Sequence, residues 1–236
     1  GVQTCALPIL KKEDNMFSWL EKNPFFFAVF LFIVIAYAGV VEILPSFADS
    51  ARPLKDTKPY SVLELSGRQI YIANSCNACH SQLIRPFKSE TDRYGAYSKS
   101  GEYAYDRPFL WGSKRTGPDL LRVGNYRTTD WHEHHMKDPL SVVPGSVMPN
   151  YKYMFKKKAD IETAYAEALT VKKAFNVPYD QEGMPKLGTW EEAQALVMEE
   201  AKVVVDQMED EEVKSAFERG EIKQIVALIA YLNSLK

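Results

Sequence analysis

The sequence predicts an all-α protein with one membrane-spanning helix near its amino terminus and a helical domain after it. Seventeen consecutive residues from Phe25 to Val41 carry no charge. Near the carboxyl end, apolar residues recur at the i, i+3, i+4, i+7 spacing of an amphipathic helix, at Ile222, Ile225, Val226, Ile229 and Leu232. We expect this terminal helix to pack across a helix from Val62 to Asn74, where Gly67 allows a close approach. The Glu-rich stretch from Trp190 to Glu212 has a helix-forming composition and predicts further helices.

The composition excludes several classes of protein. With 46% hydrophobic residues and a net charge of -2, the 236 residues are neither a disordered chain nor, as a whole, a nucleic-acid-binding protein. The length suffices for one good-sized core or two small ones. Three cysteines are too few, and odd in number, for a disulfide-stapled secreted scaffold.

The apolar run fits a membrane. About 20 helical residues at 1.5 Å each match a hydrocarbon core of roughly 30 Å, and the run extends through Glu42 to Pro45. A buried core helix and a cleaved signal peptide are the alternatives, the latter because Ser46, Phe47 and Ala48 place small residues at a cleavage spacing. The run is too long for a signal peptide, so the sequence predicts an uncleaved membrane anchor over residues 16–48, in contact with lipid.

Residues 1–15 are expected to be a non-native leader. The string GVQTCALPI resembles the translation of a sequencing adapter, and a start at Met16 would place MFSWLEKNPFFF directly before the anchor. Cys5 is therefore left out of the chemistry.

The remaining cysteines, Cys76 and Cys79, are followed at once by His80 in the string NSCNACHSQ. The pattern C-x-x-C-H is the attachment signature of c-type haem. Two thiols at this spacing add to the two vinyl groups of one porphyrin, while the histidine ligates the iron. A zinc site needs about four N or S ligands and a second cysteine pair is absent from the sequence, and a thioredoxin-like pair needs a strand-to-helix setting, whereas a helix is predicted here.

The sixth iron ligand is predicted to be Met148. It lies in PGSVMPNY, where Pro144, Gly145 and Pro149 make a constrained extended loop. A thioether opposite a histidine raises the haem potential and suits electron transfer. Three rival methionines are expected to be packing residues, namely Met136, Met154 and Met184.

Two further strings bear on the site. In TGPDLLRVG, Gly117 and Pro118 form a predicted turn whose carbonyl accepts a hydrogen bond from the outer nitrogen of His80. In DWHEHHMKD, the second histidine of a zinc-protease motif would fall at Met136, so protease chemistry is unsupported. The role of His132, His134 and His135 is left open between packing, interface and metal binding, with packing favoured. A non-haem metal-binding module around them is the alternative of another class.

Charge is unevenly distributed along the chain. Residues 52–158 hold 18 Lys and Arg against 10 Asp and Glu, whereas residues 159–236 hold 8 against 16. Each segment is either a solvated surface or a binding face. The functional hypothesis gives the basic segment an anionic cofactor or subunit, and the acidic stretch around 190–212 a cationic electron donor.

The chain resembles the membrane-anchored mono-haem cytochrome c subunit of cbb3-type (C-family haem-copper) cytochrome c oxidases. The resemblance covers nearly everything from Met16 onward, and its most specific runs are EKNPFFFAVF, GRQIYIANSCNACHSQLIRPF, GEYAYDRPFLWGSKRTGPDLLRVGNYRTTDWHEHHM and VVPGSVMPNY. It implies a class I cytochrome c domain over residues 49–236, with insertions at about 81–116 and 156–220. It also implies one covalently attached haem c, with Cys76 and Cys79 as thioether anchors, His80 and Met148 as axial ligands, and the Pro118 carbonyl orienting His80.

The resemblance further implies an electron-transfer role. Electrons would come from a di-haem cytochrome c subunit or a soluble cytochrome c and leave to the b haem of the catalytic haem-copper subunit, so this chain would have no oxygen-reduction site and no nucleic-acid partner. Since haem attachment takes place outside the bacterial cytoplasmic membrane, the cytochrome domain would face the periplasm. A tethered cytochrome c serving another respiratory complex is the alternative.

The first insertion is expected to be a docking surface on the catalytic subunit. Between His80 and Pro118 lie 37 residues rich in Arg, Tyr and Trp. The residues assigned to this surface are Arg85, Arg93, Arg107, Trp111 and Arg115, and one of these arginines is expected to reach a haem propionate.

Overall fold

The computed structural model describes residues 16–47 and 53–236. Two predictions fall outside the described residues. They are the leader at residues 1–15 and the domain boundary between residues 48 and 49. The described chain holds ten α-helices: α1 Met16–Lys22, α2 Pro24–Phe47, α3 Val62–Ala73, α4 Lys88–Tyr94, α5 Thr129–Lys137, α6 Pro139–Val142, α7 Ile161–Phe175, α8 Trp190–Val205, α9 Glu211–Glu218 and α10 Gln224–Ser234. Short 3₁₀ segments lie at Cys76–Ala78, Ser100–Tyr103, Val123–Asn125 and Lys152–Phe155. Within the described ranges the regular structure is helical apart from one isolated β-bridge, which confirms the predicted all-α class.

The first compact unit contains the apolar helix α2. Its stretch Pro24–Pro45 has a mean hydropathy of 2.6 and is not buried within the protein. Large side chains such as Phe32 and Tyr37 are about seven-tenths exposed, which is unfavourable in water and suits contact with lipid. A core helix of a soluble protein would be buried, so this exposure argues against that alternative and fits the predicted anchor.

The second unit is organised around the crossing of α3 and α10. Gly67 on α3 lies directly against the backbone of Ala227 and the side chain of Tyr231 on α10. A Cβ atom at Gly67 would lie 2.6 Å from the Ala227 carbonyl carbon and 2.7 Å from Tyr231 Cβ. The predicted close approach at Gly67 is therefore confirmed, and both helices lie in one continuous core.

Capping residues fix where the helices begin. Ser61 caps α3 in a reciprocal capping box, since its hydroxyl accepts from the Glu64 N–H and the Glu64 carboxylate accepts from the Ser61 N–H. Thr189 and Glu192 form the same box at the start of α8. Such caps satisfy backbone donors that a helix start leaves unpaired.

The second predicted insertion adds three helices, α7, α8 and α9, and the prediction of extra helices around Trp190 to Glu212 is confirmed. These helices do more than cover the domain, because their small buried residues join the central core. Ala164 and Ala168 of α7 and Ala201 of α8 are fully buried in the same cluster as α3 and α10. The acidic side chains Glu191, Glu199 and Glu212 remain exposed.

Replacing Gly67 by alanine should destabilise the cytochrome domain. The added methyl group has no room unless α3 and α10 separate, and overpacking of this kind costs about 3 kcal/mol. Thermal unfolding of the full chain in detergent, followed by circular dichroism, should show a lower midpoint for Gly67→Ala. Gly39→Ala on α2 is the control, because nothing lies within 4 Å of its Cβ position. Equal midpoints for the two variants would show that the crossing is looser than described.

Candidate functional site

The two cysteines lie on one tight turn directly after α3. Asn74 caps that helix, and Ser75 adopts a left-handed conformation with φ of 53°, which redirects the chain. The 3₁₀ segment Cys76–Ala78 follows, and the Cys79 and His80 N–H groups donate to the Cys76 carbonyl at 3.2 and 2.9 Å. The turn therefore holds both thiols and the imidazole at the start of a single loop.

Both thiols are free and in different surroundings. Cys76 is half-buried and packs against the central core, whereas Cys79 is exposed. Burial raises the pKa of the Cys76 thiol to about 12, so the group is a neutral thiol at pH 7. A low pKa and an electropositive setting mark a reactive thiolate, and Cys76 lacks them.

The imidazole of His80 is oriented by the turn at Pro118. Its Nδ1 lies 2.9 Å from the Pro118 carbonyl oxygen, the contact that the sequence predicted. Burial lowers the pKa of His80, although the Pro118 hydrogen bond and Asp119 oppose this. A carbonyl only accepts hydrogen bonds, so Nδ1 carries the proton and Nε2 keeps its lone pair. This is the tautomer that a metal-ligating histidine requires.

Gly117 forms one wall of the imidazole site. A Cβ atom at this position would lie 2.7 Å from Nδ1 and 2.8 Å from Nε2 of His80. The Gly117 N–H also donates to the Cys79 carbonyl at 3.0 Å. Glycine is therefore required here by close approach to the ring.

Asp119 ties this turn to the residues after His80, a role that sequence reasoning missed. Its fully buried carboxylate accepts from the Ser81 hydroxyl at 2.6 Å and from the Leu83 N–H at 2.8 Å. The Leu120 N–H donates to the Ser81 carbonyl at 2.9 Å. Pro118 is thus held opposite His80 by bonds on both sides of it. The sequence signal is an acidic residue directly after the Gly-Pro turn.

The loop with Met148 is brought to the same region by two tyrosines. The Tyr151 N–H donates to the Met136 carbonyl at 2.8 Å, and the Tyr153 hydroxyl donates to the Asn74 side chain just before the cysteine turn. Burial, with smaller contributions from Cys76, Tyr153 and Cys79, raises the pKa of Tyr151 to about 12. Met148 is half-buried and packs against the core cluster that Cys76 also contacts.

The rival methionines differ from Met148 in burial. Met136 and Met154 are 8% and 0% exposed and belong to the core, which fits the packing role expected for them. Met184 is half-buried in the loop before α8.

The three histidines of DWHEHHMKD lie on α5. His132 is buried, His135 half-buried and His134 exposed, and the described part of the chain contains no group of three or more His, Cys, Asp or Glu arranged to hold a metal ion. The non-haem metal module therefore has no support in residues 16–47 and 53–236.

The first insertion is fixed internally by Arg115. Its guanidinium donates to Ser81 at 2.6 Å, to the Leu83 carbonyl at 2.6 Å and to Glu90 at 2.8 Å. The charge of Arg115 is therefore already paired inside the insertion, which leaves this residue less free to dock than the sequence suggests. Arg107 donates to the Ala104 and Asp106 carbonyls, which also leaves it less free to dock than the sequence suggests.

Arg68 joins the insertion to α3 and was also missed. It is 2% exposed, and its guanidinium donates to the carbonyls of Arg107, at 2.7 Å, and Pro108. A buried charge needs such partners. An arginine on the predicted core helix was the available sequence signal.

The family model described as "Cytochrome C oxidase, mono-heme subunit/FixO" matches residues 17–236. The chain belongs to this family. The match confirms the resemblance identified from the sequence motifs and includes the acidic helices α8 and α9. Members of this mono-haem family are haem-containing subunits of cytochrome c oxidase, a multi-subunit terminal oxidase. A search of curated proteins found no match.

The residues of the site fit the haem of this family. Two free thiols lie at the C-x-x-C spacing, an imidazole has its outer nitrogen bonded and its inner nitrogen available, and a glycine leaves room beside the ring. Such a donor set suits a covalently attached porphyrin whose iron takes one nitrogen ligand from the protein.

Replacing Glu90 by glutamine should destabilise the insertion. Hydrogen bonds from Arg115 and Arg85 hold the pKa of the buried Glu90 carboxyl at about 2. Breaking a buried pair costs about 3 kcal/mol, and urea unfolding of the full chain at pH 7 measures it. Since the folded pKa lies below the ordinary value of 4.5 for a glutamate carboxyl, the wild-type advantage should disappear as the pH falls from about 4.5 to 2.

Asp92→Asn is the control for Glu90→Gln. Asp92 pairs with Lys88 at the surface, where both side chains are mostly exposed, and loss of such a pair costs about 0.5 kcal/mol or less. Equal effects of the two variants at pH 7 would contradict a structural role for Glu90.

Proposed function

We propose that the chain is the membrane-anchored mono-haem c electron-transfer subunit of a cbb3-type cytochrome c oxidase. The observation that carries this proposal is the C-x-x-C-H turn, with the Nδ1 of His80 bonded to the Pro118 carbonyl at 2.9 Å. The family membership supports the same role. One covalently attached haem c would supply a one-electron redox centre there.

Each residue of the site has a specific role in holding the haem. Cys76 and Cys79 would hold the haem through two thioether bonds, and His80 would bind its iron through Nε2. Met148 would supply the second ligand to the iron, and the Pro118 carbonyl holds the His80 ring in place and strengthens it as a donor. The buried Asp119 keeps Pro118 in register. Ligands held by packing and hydrogen bonds need little rearrangement when the charge of the site changes by one electron.

The electron route follows from this role. A di-haem cytochrome c subunit or a soluble cytochrome c donates the electron, and the b haem of the catalytic haem-copper subunit accepts it. Oxygen reduction takes place in that subunit and needs no oxygen site in this chain. α2 anchors the chain in the bacterial inner membrane, and the cytochrome domain faces the periplasm, where haem c is attached.

The assignment of Met148 is tested by spectroscopy of the purified full chain. A pyridine haemochrome spectrum should report haem c, and the ferric protein should show a low-spin His/Met spectrum. In Met148→Ala the haem should stay attached while that spectrum is lost, because only the thioether ligand is removed. Met184→Ala, the half-buried rival, should keep it. A low-spin His/Met spectrum in Met148→Ala would refute the choice of ligand.

The first insertion supplies a docking surface for the catalytic subunit. Phe109 and Trp111 stack with 4.6 Å between ring centroids and an interplanar angle of 5°. They are 49% and 42% exposed, and the Trp111 carbonyl accepts from the Gln82 N–H at 3.0 Å, two residues beyond His80. An exposed aromatic pair beside the haem motif is a favourable contact for a partner subunit.

Removing this pair should weaken subunit retention. We expect Phe109→Ala with Trp111→Ala to reduce co-purification with the copper-containing catalytic subunit several-fold after mild solubilisation, because the centre of the contact is lost. Val203→Ala, an exposed apolar residue on α8, is the control and should behave as the wild type. Unchanged retention of the double variant, with haem attached, would count against this surface.

A further inference from the structure

Two buried imidazole nitrogens on α5 lack hydrogen-bond partners. They are Nε2 of His132, a residue only 2% exposed, and Nδ1 of His135. A buried polar group without a partner costs about 1–3 kcal/mol. Two such atoms one helical turn apart, next to the site of an expected cofactor, indicate that a group absent from the protein chain completes them.

His132 and His135 lie on the side of α5 that faces away from Glu209 and Asp210. The other side of α5 faces these two residues. The Glu133 carboxylate accepts from the Glu209 N–H at 2.7 Å, and Nε2 of His134 lies 3.5 Å from the Glu209 carboxylate. Lys137 forms a 2.6 Å ion pair with Asp210. At about 100° per residue, His132 and His135 lie on the opposite side of the helix, about 180° away.

α5 is joined by hydrogen bonds to the methionine loop and, through that loop, to the residues just before the haem-attachment turn. Burial lowers the pKa of His135, with His80 and Arg127 adding to the shift. The Met136 carbonyl, at the next position of α5, accepts the Tyr151 N–H that anchors the Met148 loop. Tyr153 of the same loop donates in turn to the Asn74 side chain, just before the cysteine turn.

A guanidinium makes this side of α5 electropositive. Arg127 lies over the Trp131 ring at 4.2 Å, and Trp131 stacks on His135 with ring centroids 4.5 Å apart. Burial lowers the pKa of His132 to about 4, with His135 and Arg127 adding to the shift. The imidazoles are therefore neutral N–H donors beside a fixed positive charge, a combination that suits a carboxylate.

We propose that His132, His135 and Arg127 bind a propionate carboxylate of the haem. This inference rests on the proposed function, since it requires the haem. The two propionates are the only carboxylates that a haem brings into the protein. From the sequence we expected the propionate partner among the arginines of residues 81–116, whereas the structure points to Arg127, ahead of α5.

The proposal has a redox consequence. Donors on the propionate offset its negative charge, and an uncompensated carboxylate favours the ferric over the ferrous iron. Removing the guanidinium or an imidazole N–H should therefore lower the midpoint potential without displacing either axial ligand. A packing role alone would change stability and leave the potential where it was.

The test uses the full chain with haem attached, purified in detergent. Variants Arg127→Gln and His135→Phe are compared with His135→Gln, which keeps an N–H donor, and with the control His134→Gln on the opposite side of α5. Arg127 is exposed and His135 half-buried, so these variants should fold. Potentiometric titration gives the midpoint potential, and resonance Raman spectroscopy reports the propionate bending band.

A lower potential with a shifted propionate band in Arg127→Gln and His135→Phe, partial recovery in His135→Gln and no change in His134→Gln support the proposal. An unchanged potential and band in Arg127→Gln and His135→Phe would overturn it. Loss of the low-spin spectrum in His135→Phe would also overturn it, since that residue would then act on the iron or its thioether ligand. Absence of haem c from the wild-type pyridine haemochrome spectrum would instead refute the proposed function.

Discussion

The contact between α3 and α10 at Gly67 is the constraint on which the rest of the cytochrome domain depends. Because the two helices touch through backbone atoms, the direction of α3 is fixed, and so is the point where it ends. The turn with Cys76, Cys79 and His80 starts at that point. A slightly wider crossing would tilt the end of α3 and move the turn away from Pro118 and from the methionine loop. Close packing in a core transmits such shifts instead of absorbing them.

Buried polar groups then fix the positions of the site residues through hydrogen bonds. Asp119 and Arg115 hold Ser81 and Leu83, and through them the Pro118 carbonyl is held opposite the His80 ring. These groups are expensive to bury singly and favourable only as a complete network. The unpaired nitrogens of His132 and His135 are exceptions to this pattern, as is Nε of the buried Arg68. The haem carboxylate that we assign to the two histidines would extend the network onto the cofactor.

Local patterns were enough to predict much of the fold and the motif of the site. The 17-residue apolar run, the period of the terminal helix and the C-x-x-C-H string each depend on residues close together in the chain. Arg68, Asp119 and Arg127 could not be predicted in the same way, because their partners lie far along the chain and are fixed by tertiary packing. The pairing of Arg115 with the buried Glu90 could not be predicted for the same reason, since both charges are visible in the sequence but their contact is not.

The central claim is that one haem is bound covalently through Cys76 and Cys79. Mass spectrometry of the tryptic peptide between Arg68 and Lys88, after alkylation of the denatured chain, tests it most directly, because cleavage after Arg85 is blocked by Pro86. The account predicts that this peptide carries the mass of one haem and that neither cysteine is alkylated. A peptide without the haem mass, with both thiols alkylated, would contradict it.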